Sequence, residues 1–281
     1  MNGLEILART LSVTRIRDKF GNSWQYQSRS DHHSKVACWG ILFDMLRGSA
    51  MLSDDVAHGR VVFGLNHEMR DFKNNRKKDL DLVLARPREG GSRGRAFSDL
   101  VSNYRISLTP EESEMLAALP ALREGLVGSV QLALEGKACM TEHVKALPRL
   151  YDELNSSQET IHGAAEEAVA MGFVMVNAAT SFLSPGKNRF DLRKMKPDRT
   201  PHSQPGVTLK VIEKLREMPR RRKIGETGFD ALGIAVVDCK NDGSPVGLVR
   251  IPPAPAASDI YNYEAMISRA TQLYETRFRS F

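Results

Sequence analysis

Hydrophobic and polar residues alternate along the stretch 78–85 (Lys-Asp-Leu-Asp-Leu-Val-Leu-Ala). A period of two residues with turn-forming flanks is typical of a β-strand with one buried face. The alternation predicts that Asp79, Asp81 and Val83 lie on one face of this strand. The opposite face then carries three leucines: Leu80, Leu82 and Leu84.

The stretch 130–137 (Val-Gln-Leu-Ala-Leu-Glu-Gly-Lys) has the same alternation. It predicts Glu135, Lys137 and Cys139 on one face, opposite Leu132, Leu134 and Gly136. If the two strands pair, carboxylates and one ammonium converge at one edge of a sheet. Hard oxygen ligands of this kind suit Mg²⁺, and a lysine beside the metal can orient or activate a water molecule.

The remaining periodicity places these two strands in a longer series of elements. Ser30 is the expected N-cap of a largely buried helix over 31–47. The further predicted elements up to residue 178 are a strand at 59–66, a helix beginning after Thr141, a second helical stretch at 161–171 and a strand at 172–178. The last of these is a continuous apolar run, as expected of a strand buried on both faces.

Between the two acid-bearing strands lies an insertion, residues 87–128. Thr109-Pro110-Glu111-Glu112 is a capping box with proline at the first helical position, and it predicts a helix to about Glu124. After residue 178 the predicted elements are a helix at 207–218, strands at 229–238 and 246–251 around the Asn241-Asp242-Gly243 turn, and a terminal helix at 260–278. We therefore expect one α/β domain over 1–281, with a core at about 30–178 and a C-terminal elaboration at 179–281.

Asp81 on one strand, Glu135-Gly136-Lys137 on the next and a helix directly afterwards resemble the PD-(D/E)xK nuclease superfamily, best known from type II restriction endonucleases. Glu135-Gly136-Lys137 is the only Glu-x-Lys in the chain. The order helix–strand–strand–strand–helix–strand over 30–178 is also that of the restriction-endonuclease-like core, a central mixed sheet flanked by helices.

The resemblance implies a Mg²⁺-dependent DNA endonuclease, in particular a sequence-specific type II restriction enzyme. Asp81, Glu135 and Lys137 would be its catalytic residues. The metal would be held by Asp81, Glu135 and the carbonyl of Gly136, with Asp79 as an additional ligand. Lys137 would position the attacking water or stabilise charge in the transition state. Family members commonly act as homodimers on palindromic double-stranded DNA, so that the symmetry of the target mirrors that of the enzyme.

Composition limits the alternatives. The 281 residues are 41% hydrophobic and 26% charged, as in an ordinary soluble globular protein, and the net charge of +6 permits a polyanionic partner. Three widely spaced cysteines without a CxxC pair argue against a zinc ribbon and a disulfide framework. The N-terminus lacks the apolar core of a signal peptide, and no apolar run has the length of a membrane span. We expect a cytoplasmic protein that does not bind membranes.

Three basic segments are candidates for DNA contact: 70–78, 184–206 and 220–223. Their cations would bind phosphates, and their amides could reach base edges. The candidate DNA-binding residues are Lys73, Arg76, Lys77, Lys187, Asn188, Arg189, Arg193, Lys194, Lys196, Arg199, Arg221 and Arg222. The basic, glycine-rich stretch 86–95 is expected to be an exposed loop.

Other interpretations remain open at this point. The chain could be a non-catalytic DNA-binding or regulatory protein with a nuclease-like fold, or a nuclease for RNA or for particular nucleic-acid structures. Pro197-Asp198 and Asp238-Cys239-Lys240 also spell the family motif, but Asp238–Lys240 runs directly into a predicted turn. Asp44 on the first buried helix could supplement a metal site or could simply be solvated.

Overall fold

The computed structural model describes residues 1–72, 74–88 and 94–279. The helices of this part of the chain are α1 (Gly3–Leu11), α2 (His32–Gly48), α3 (Ala50–Ala57), α4 (Asp99–Asn103), α5 (Pro110–Ala117), α6 (His143–Ala164), α7 (Gly206–Arg216) and α8 (Tyr263–Phe278). Its strands are β1 (Ile16–Arg17), β2 (Ser23–Trp24), β3 (Val62–Asp71), β4 (Arg76–Pro87), β5 (Val127–Cys139), β6 (Val169–Asn177), β7 (Ser181–Leu183), β8 (Arg199–Pro201), β9 (Ala231–Asp238) and β10 (Gly247–Val249).

A six-stranded sheet in the order β10-β9-β6-β5-β4-β3 forms the centre of the molecule. Strands β3, β4 and β5 are antiparallel neighbours, whereas β5, β6 and β9 run parallel to one another. Strand β10 closes the other edge in the antiparallel sense. The fold is therefore α/β with a mixed central sheet, as the sequence predicted.

Helices cover both faces of this sheet, and two separate hydrophobic clusters lie under them. The first face packs against α1, α2 and α8 and includes Leu82 and Leu134. The second packs against α6 and α7 and includes Val83 and Ala133. Every residue of β6 is buried, which confirms the prediction of a strand covered on both faces.

The predicted elements occur in the predicted order, with three differences in extent, and the structure adds α3, α4 and the two-stranded sheets β1-β2 and β7-β8, which were not predicted. Helix α5 ends at Ala117, and a short irregular stretch replaces the rest of the predicted helix to Glu124. A single helix, α6, takes the place of the two predicted ones after Thr141 and continues through Pro148. The predicted helical stretch 161–171 is wrong in its second half, because the apolar residues from Val169 onward belong to β6.

Two local sequence signals are confirmed. Thr109 accepts a hydrogen bond from the Glu112 backbone and Glu112 caps the Thr109 backbone in return, which completes the capping box. The turn at Asn241-Asp242-Gly243 leads from β9 into its antiparallel partner β10.

Asp44 neither joins a metal site nor is solvated, so both interpretations offered for it are wrong. Its carboxylate is 2% exposed and accepts hydrogen bonds from the backbone N–H groups of Asn2 and Gly3, at 2.9 and 2.8 Å. It also accepts the hydroxyl of Tyr263 at 2.9 Å. Asp44 therefore fastens the first turn of α1 and the start of α8 to α2.

Candidate active site

The two acid-bearing strands are adjacent, as the sequence hypothesis required, and the structure shows that they pair in the antiparallel sense. Strands β4 and β5 pair with Leu82 opposite Leu134 and Val83 opposite Ala133. Asp81 and Glu135 each lie one residue beyond the Leu82–Leu134 pair, on neighbouring strands at the same end of the ladder. The strand pairing therefore brings the aspartate and the Glu-x-Lys together in space, although the insertion separates them in sequence.

The alternation of β4 changes phase at Asp81. Leu80 belongs to the cluster of the second face, whereas Leu82 and Leu84 belong to that of the first. On the neighbouring strand β3, Asn66 has a left-handed backbone with φ of 49°. The β3–β4 pairing includes Leu65 with Leu82 and His67 with Leu80 but leaves out Asn66 with Asp81. The predicted grouping of Leu80 with Leu82 and Leu84 is therefore wrong, because the ladder is distorted where Asn66 faces Asp81.

A buried lysine lies at this distortion. The Lys35 side chain on α2 has no exposed surface, and its ammonium donates to Asp81 Oδ1 at 2.9 Å and to the Asp81 carbonyl at 3.1 Å. The same ammonium donates to Oδ1 of Asn66. Lys35 thus links Asn66 on β3 and Asp81 on β4 to helix α2, and the Asp81 side chain points toward α2.

Two further donors complete the surroundings of the Asp81 carboxylate. The Ser34 hydroxyl donates to Oδ1 at 3.0 Å, and the Gly136 backbone N–H donates to Oδ2 at 2.9 Å. Burial by itself would raise the pKa of Asp81, but the charge of Lys35 and the hydrogen bonds from Lys35, Gly136 and Ser34 outweigh it and lower that pKa. Asp81 is therefore a carboxylate at neutral pH.

Glu135 and Lys137 share the second face, as the alternation of β5 predicted. Lys137 Nζ lies 2.7 Å from Glu135 Oε1 and 3.2 Å from Glu153 Oε2 on α6. Lys78 Nζ lies 3.8 Å from the same Glu135 oxygen and donates to the Glu153 carbonyl. Glu135 is 2% exposed, and its Oε2 has no hydrogen-bond partner within the described part of the chain.

The pKa values of this pair shift upward for different reasons. Burial is the main cause that raises the pKa of Glu135, and Lys137 opposes it. Burial would lower the pKa of Lys137, but Glu135 and Glu153 outweigh that effect and raise it. Lys137 is therefore an ammonium at neutral pH. It also balances a buried carboxylate, a structural role that the strand pattern did not predict.

The two predicted metal-binding carboxylates point to opposite faces of the sheet. Asp81 faces α2, whereas Glu135 faces α6. A Cβ built on Gly136, which lies between Glu135 and Lys137, would be 3.6 Å from Asp81 Oδ2 and 3.4 Å from Ser34 Cβ. Within residues 1–72, 74–88 and 94–279, no three His, Cys, Asp or Glu side chains are grouped so that they could hold a metal ion. Asp79 is exposed on β4, opposite Glu68.

A cleft of about 630 Å³ opens at this end of the strands, between the N-terminal end of α2 and α6. Asp81 and Lys137 both line it, together with Ser34, Gly136 and Glu153. Arg29 and Arg149 also lie along it. The cleft is therefore lined by Asp81 from one face of the sheet and by Lys137 from the other. Arg29 and Arg149 add positive charge to the same surface.

Sequence reasoning missed Lys35, Ser34 and Glu153 as site residues. Ser34 and Lys35 lie in the first turn of α2, four and five residues after the predicted N-cap Ser30, and Glu153 lies on α6, the helix after the Glu-x-Lys. A lysine within a largely buried helix was the one available signal, because a buried ammonium requires a partner.

Two of the candidate DNA-binding residues are buried and serve the fold. Asn188 is fully buried, donates to the carbonyls of Ser184 and Asp198, and accepts from the Asp198 N–H, so it holds its own loop together. Arg221 is 3% exposed and donates to His162 Nδ1 at 2.6 Å. The prediction that these two side chains contact DNA is wrong for this conformation.

Five of the other candidate cations form ion pairs with carboxylates: Arg76 with Glu159, Lys77 with Glu68, Lys187 with Glu142, Arg193 with Asp191 and Arg199 with Asp242. Three more are exposed: Lys194, Lys196 and Arg222. Arg189 donates to the Gly186 carbonyl. Lys73 and residues 89–93 of the glycine-rich loop lie outside the described residues.

The second occurrence of the family motif is not assembled near this cleft. Asp238 ends β9, which is separated from β5 by the whole of β6. Asp198 lies in the segment held by Asn188. The turn interpretation of Asp238–Lys240 therefore agrees with the structure.

Comparison with protein-family models, with curated proteins and with solved structures gave no match. Within the described residues no helix combines the length and the apolar composition needed to cross a membrane.

Proposed function

We propose that this protein is a DNA endonuclease that hydrolyses phosphodiester bonds at the cleft lined by Asp81 and Lys137. One observation carries the proposal: paired strands β4 and β5 place Asp81 beside the Glu135-Gly136-Lys137 segment, and one cleft exposes both Asp81 and Lys137. The chain order supports it: apart from α3, which follows α2, and α4 and α5 in the insertion, the elements run α2–β3–β4–β5–α6–β6, the order expected from the resemblance to PD-(D/E)xK nucleases.

Lys137 has an electrostatic role in this proposal. Its pKa is raised, so it enters the reaction as an ammonium and not as a general base. A cation held in place by Glu135 and Glu153 can stabilise the negative charge that develops on the phosphate oxygens in the transition state. Asp81 is the carboxylate that lines the same cleft.

Mg²⁺ belongs to the proposal through the family resemblance, and the donors agree with it only in part. Among the residues that the structure describes, Glu135 Oε2 is a buried acceptor without a hydrogen-bond partner, which suits a hard cation. Asp81, however, already accepts from Lys35, Ser34 and Gly136, and it faces away from Glu135. The residues do not form one ligand set in this conformation. The requirement for Mg²⁺ is measured directly.

The test is incubation of the purified protein with plasmid and phage DNA, in Mg²⁺ and in chelator. We expect discrete fragments, because the proposed enzyme is a sequence-specific restriction endonuclease of double-stranded DNA. We expect them only in Mg²⁺, because the resemblance to PD-(D/E)xK nucleases implies that metal. A sequence-specific enzyme acting as a homodimer should cut at symmetric sites. Intact DNA over a broad range of sequences and metal concentrations would contradict the proposal.

The engagement of Asp81 favours a second candidate, a non-catalytic DNA-binding or regulatory protein with the same fold. If Lys35, Ser34 and Gly136 hold Asp81 permanently, the carboxylate is structural. Such a protein should bind DNA equally well with chelator present and should leave it uncut.

A further inference from the structure

A second pocket, of about 540 Å³, continues from the candidate active-site cleft. The two share four lining residues: Tyr26, Ser28, Arg29 and Thr141. The second pocket extends from there to the loop between β1 and β2 and to the segment after β7. A polymer lying in the cleft therefore has a continuous path into this pocket.

Cations without acidic partners line the second pocket. Arg17, Lys19, Arg29 and Arg189 all border it, and none of them forms an ion pair with a carboxylate among the residues that the structure describes. Its one acidic lining residue is Asp18. The carboxylate of Asp18 accepts the indole N–H of Trp24, the amide of Asn22 and two backbone N–H groups. The negative charge is thus directed into the loop, and the pocket is left with a positive potential.

These free cations contrast with those of the neighbouring segment. Arg193 and Arg199 are in the same basic stretch as Arg189, but each has a carboxylate partner, Asp191 or Asp242. The carboxylate beside a paired cation offsets its charge and repels an approaching phosphate. An unpaired cation gives up only water, and its charge-assisted hydrogen bonds to a phosphate are not opposed by a neighbouring anion. The pocket cations are therefore better phosphate ligands than the paired ones.

The walls of the pocket are fixed to each other. Asn22, 6% exposed, donates to the Phe190 carbonyl and accepts the Leu192 N–H at 3.0 Å, which joins the β1–β2 loop to the segment after β7. Phe20 and Phe182 contribute aromatic surface to the lining. The cations thus stand on a frame that is formed before any ligand binds, which lowers the entropy lost on binding.

We propose that this pocket binds the DNA backbone on one side of the bond that is cleaved, with Arg17, Lys19, Arg29 and Arg189 as phosphate ligands. The inference rests on the proposed function, since it takes the adjoining cleft as the place of cleavage. The ligand chemistry is that of consecutive phosphodiesters along one strand of double-stranded DNA. The volume is within the range of nucleotide-sized sites.

The test compares two double variants that remove the same charge. Arg17→Gln with Arg189→Gln removes two unpaired cations of the pocket, and Arg216→Gln with Arg250→Gln removes two exposed cations that pair with Asp259 and Glu5 outside the cleft and the pocket. DNA affinity is measured in Ca²⁺ over a series of salt concentrations. For the pocket variant we expect affinity to fall by about tenfold or more. The slope of the logarithm of the binding constant against the logarithm of the salt concentration should become shallower by about 1.8, because each of the two lost phosphate contacts contributes about 0.9. The control variant should keep the wild-type slope.

Phosphate-ethylation interference, measured on a DNA sequence that the wild type cleaves, shows which phosphates the pocket contacts relative to the cut. Wild-type protein should show interference on both sides of the cut, and the pocket variant should lose it on one side only. Circular dichroism confirms that both variants fold.

The outcomes separate the two proposals. If the pocket variant binds with wild-type affinity and slope while the wild type cuts DNA, the pocket inference is overturned and the proposed function stands. If the wild type binds DNA without cutting it and the pocket variant loses slope, DNA binding by the pocket stands and catalysis fails. If the wild type neither binds nor cuts DNA, both are overturned.

Discussion

The ammonium of Lys35 lies 2.9 Å from Oδ1 of Asp81, and the lysine side chain is completely buried. The strand pattern assigned this carboxylate to a metal ion. The structure instead places a cation of the protein itself against this carboxylate. The same Lys35 ammonium also donates hydrogen bonds to the Asn66 amide oxygen and to the Asp81 carbonyl. Lys35 therefore sets both the direction of the Asp81 side chain and the distortion of the β3–β4 ladder.

Replacing Lys35 should destabilise the fold strongly. In Lys35→Met the Asp81 carboxylate keeps only Ser34 and Gly136 as donors, and the loss of one partner of a buried ion pair costs about 3–5 kcal/mol. Urea unfolding measures the free energy of unfolding. The matched control is Lys77→Met, which removes an exposed pair with Glu68 and should change stability by less than about 0.5 kcal/mol. Equal effects of the two changes would show that the Lys35–Asp81 pair is unimportant for the fold.

Removing the charge of Lys137 should abolish most cleavage. A positioned donor to developing negative charge contributes about 10²–10³ in rate, so Lys137→Met should lose at least that factor. Cleavage is assayed in Mg²⁺ and DNA binding in Ca²⁺. Lys145→Met on α6 removes an exposed lysine that pairs with Glu142, and it should be nearly silent in both assays.

A double variant separates catalysis by Lys137 from its structural role. Lys137→Met alone leaves Glu135 buried with Lys78 as its remaining cation, 3.8 Å away, and should lower stability. Glu135→Gln with Lys137→Met removes both charges and should recover most of that stability without recovering cleavage. Near-normal cleavage by the stable double variant would show that the site is misassigned.

Glu135 should make stability fall as the pH rises. Its pKa is raised above 4.5 in the folded protein, so between 4.5 and that higher value the folded state binds more protons than the unfolded state. The free energy of unfolding then decreases with increasing pH across this window. Glu135→Gln should remove that part of the slope, whereas Glu114→Gln, at an exposed position on α5, should retain it. Unfolding free energies from pH 4.5 to 8 test this, and identical slopes for both variants would contradict it.

Gly136 should tolerate alanine but not valine. A Cβ at this position meets Ser34 Cβ at 3.4 Å and Asp81 Oδ2 at 3.6 Å, which are ordinary contacts. Gly136→Ala should therefore fold normally and should gain up to about 1 kcal/mol of stability, because glycine is unfavourable inside a strand. The methyl groups of valine would reach beyond these contacts into Ser34 or Asp81, so Gly136→Val should lose stability and cleavage together. Thermal unfolding and cleavage assays on the pair give the answer, and a fully active valine variant would refute the packing argument.

The sequence by itself determined those features that depend on neighbouring residues. The alternation of β5 correctly placed Glu135 and Lys137 on one face, and the continuous apolar run correctly predicted that β6 is buried on both faces. The capping box at Thr109 was equally readable, because both of its hydrogen bonds join residues three apart. Strand periodicity and helix caps arise from local backbone geometry, and a single sequence contains all the information they need.

The tertiary structure alone decided which way Asp81 points and which cations are free. Lys35 is 46 residues from Asp81, and the phase change of β4 depends on Asn66 on the adjacent strand. In the same way, Arg199 is neutralised by Asp242, 43 residues away, whereas Arg189 has no acidic partner in the described chain. Ion pairs and ladder distortions join residues that are distant in sequence. Their electrostatic energy depends on separations of a few ångströms, which only the packing of helices against the sheet establishes.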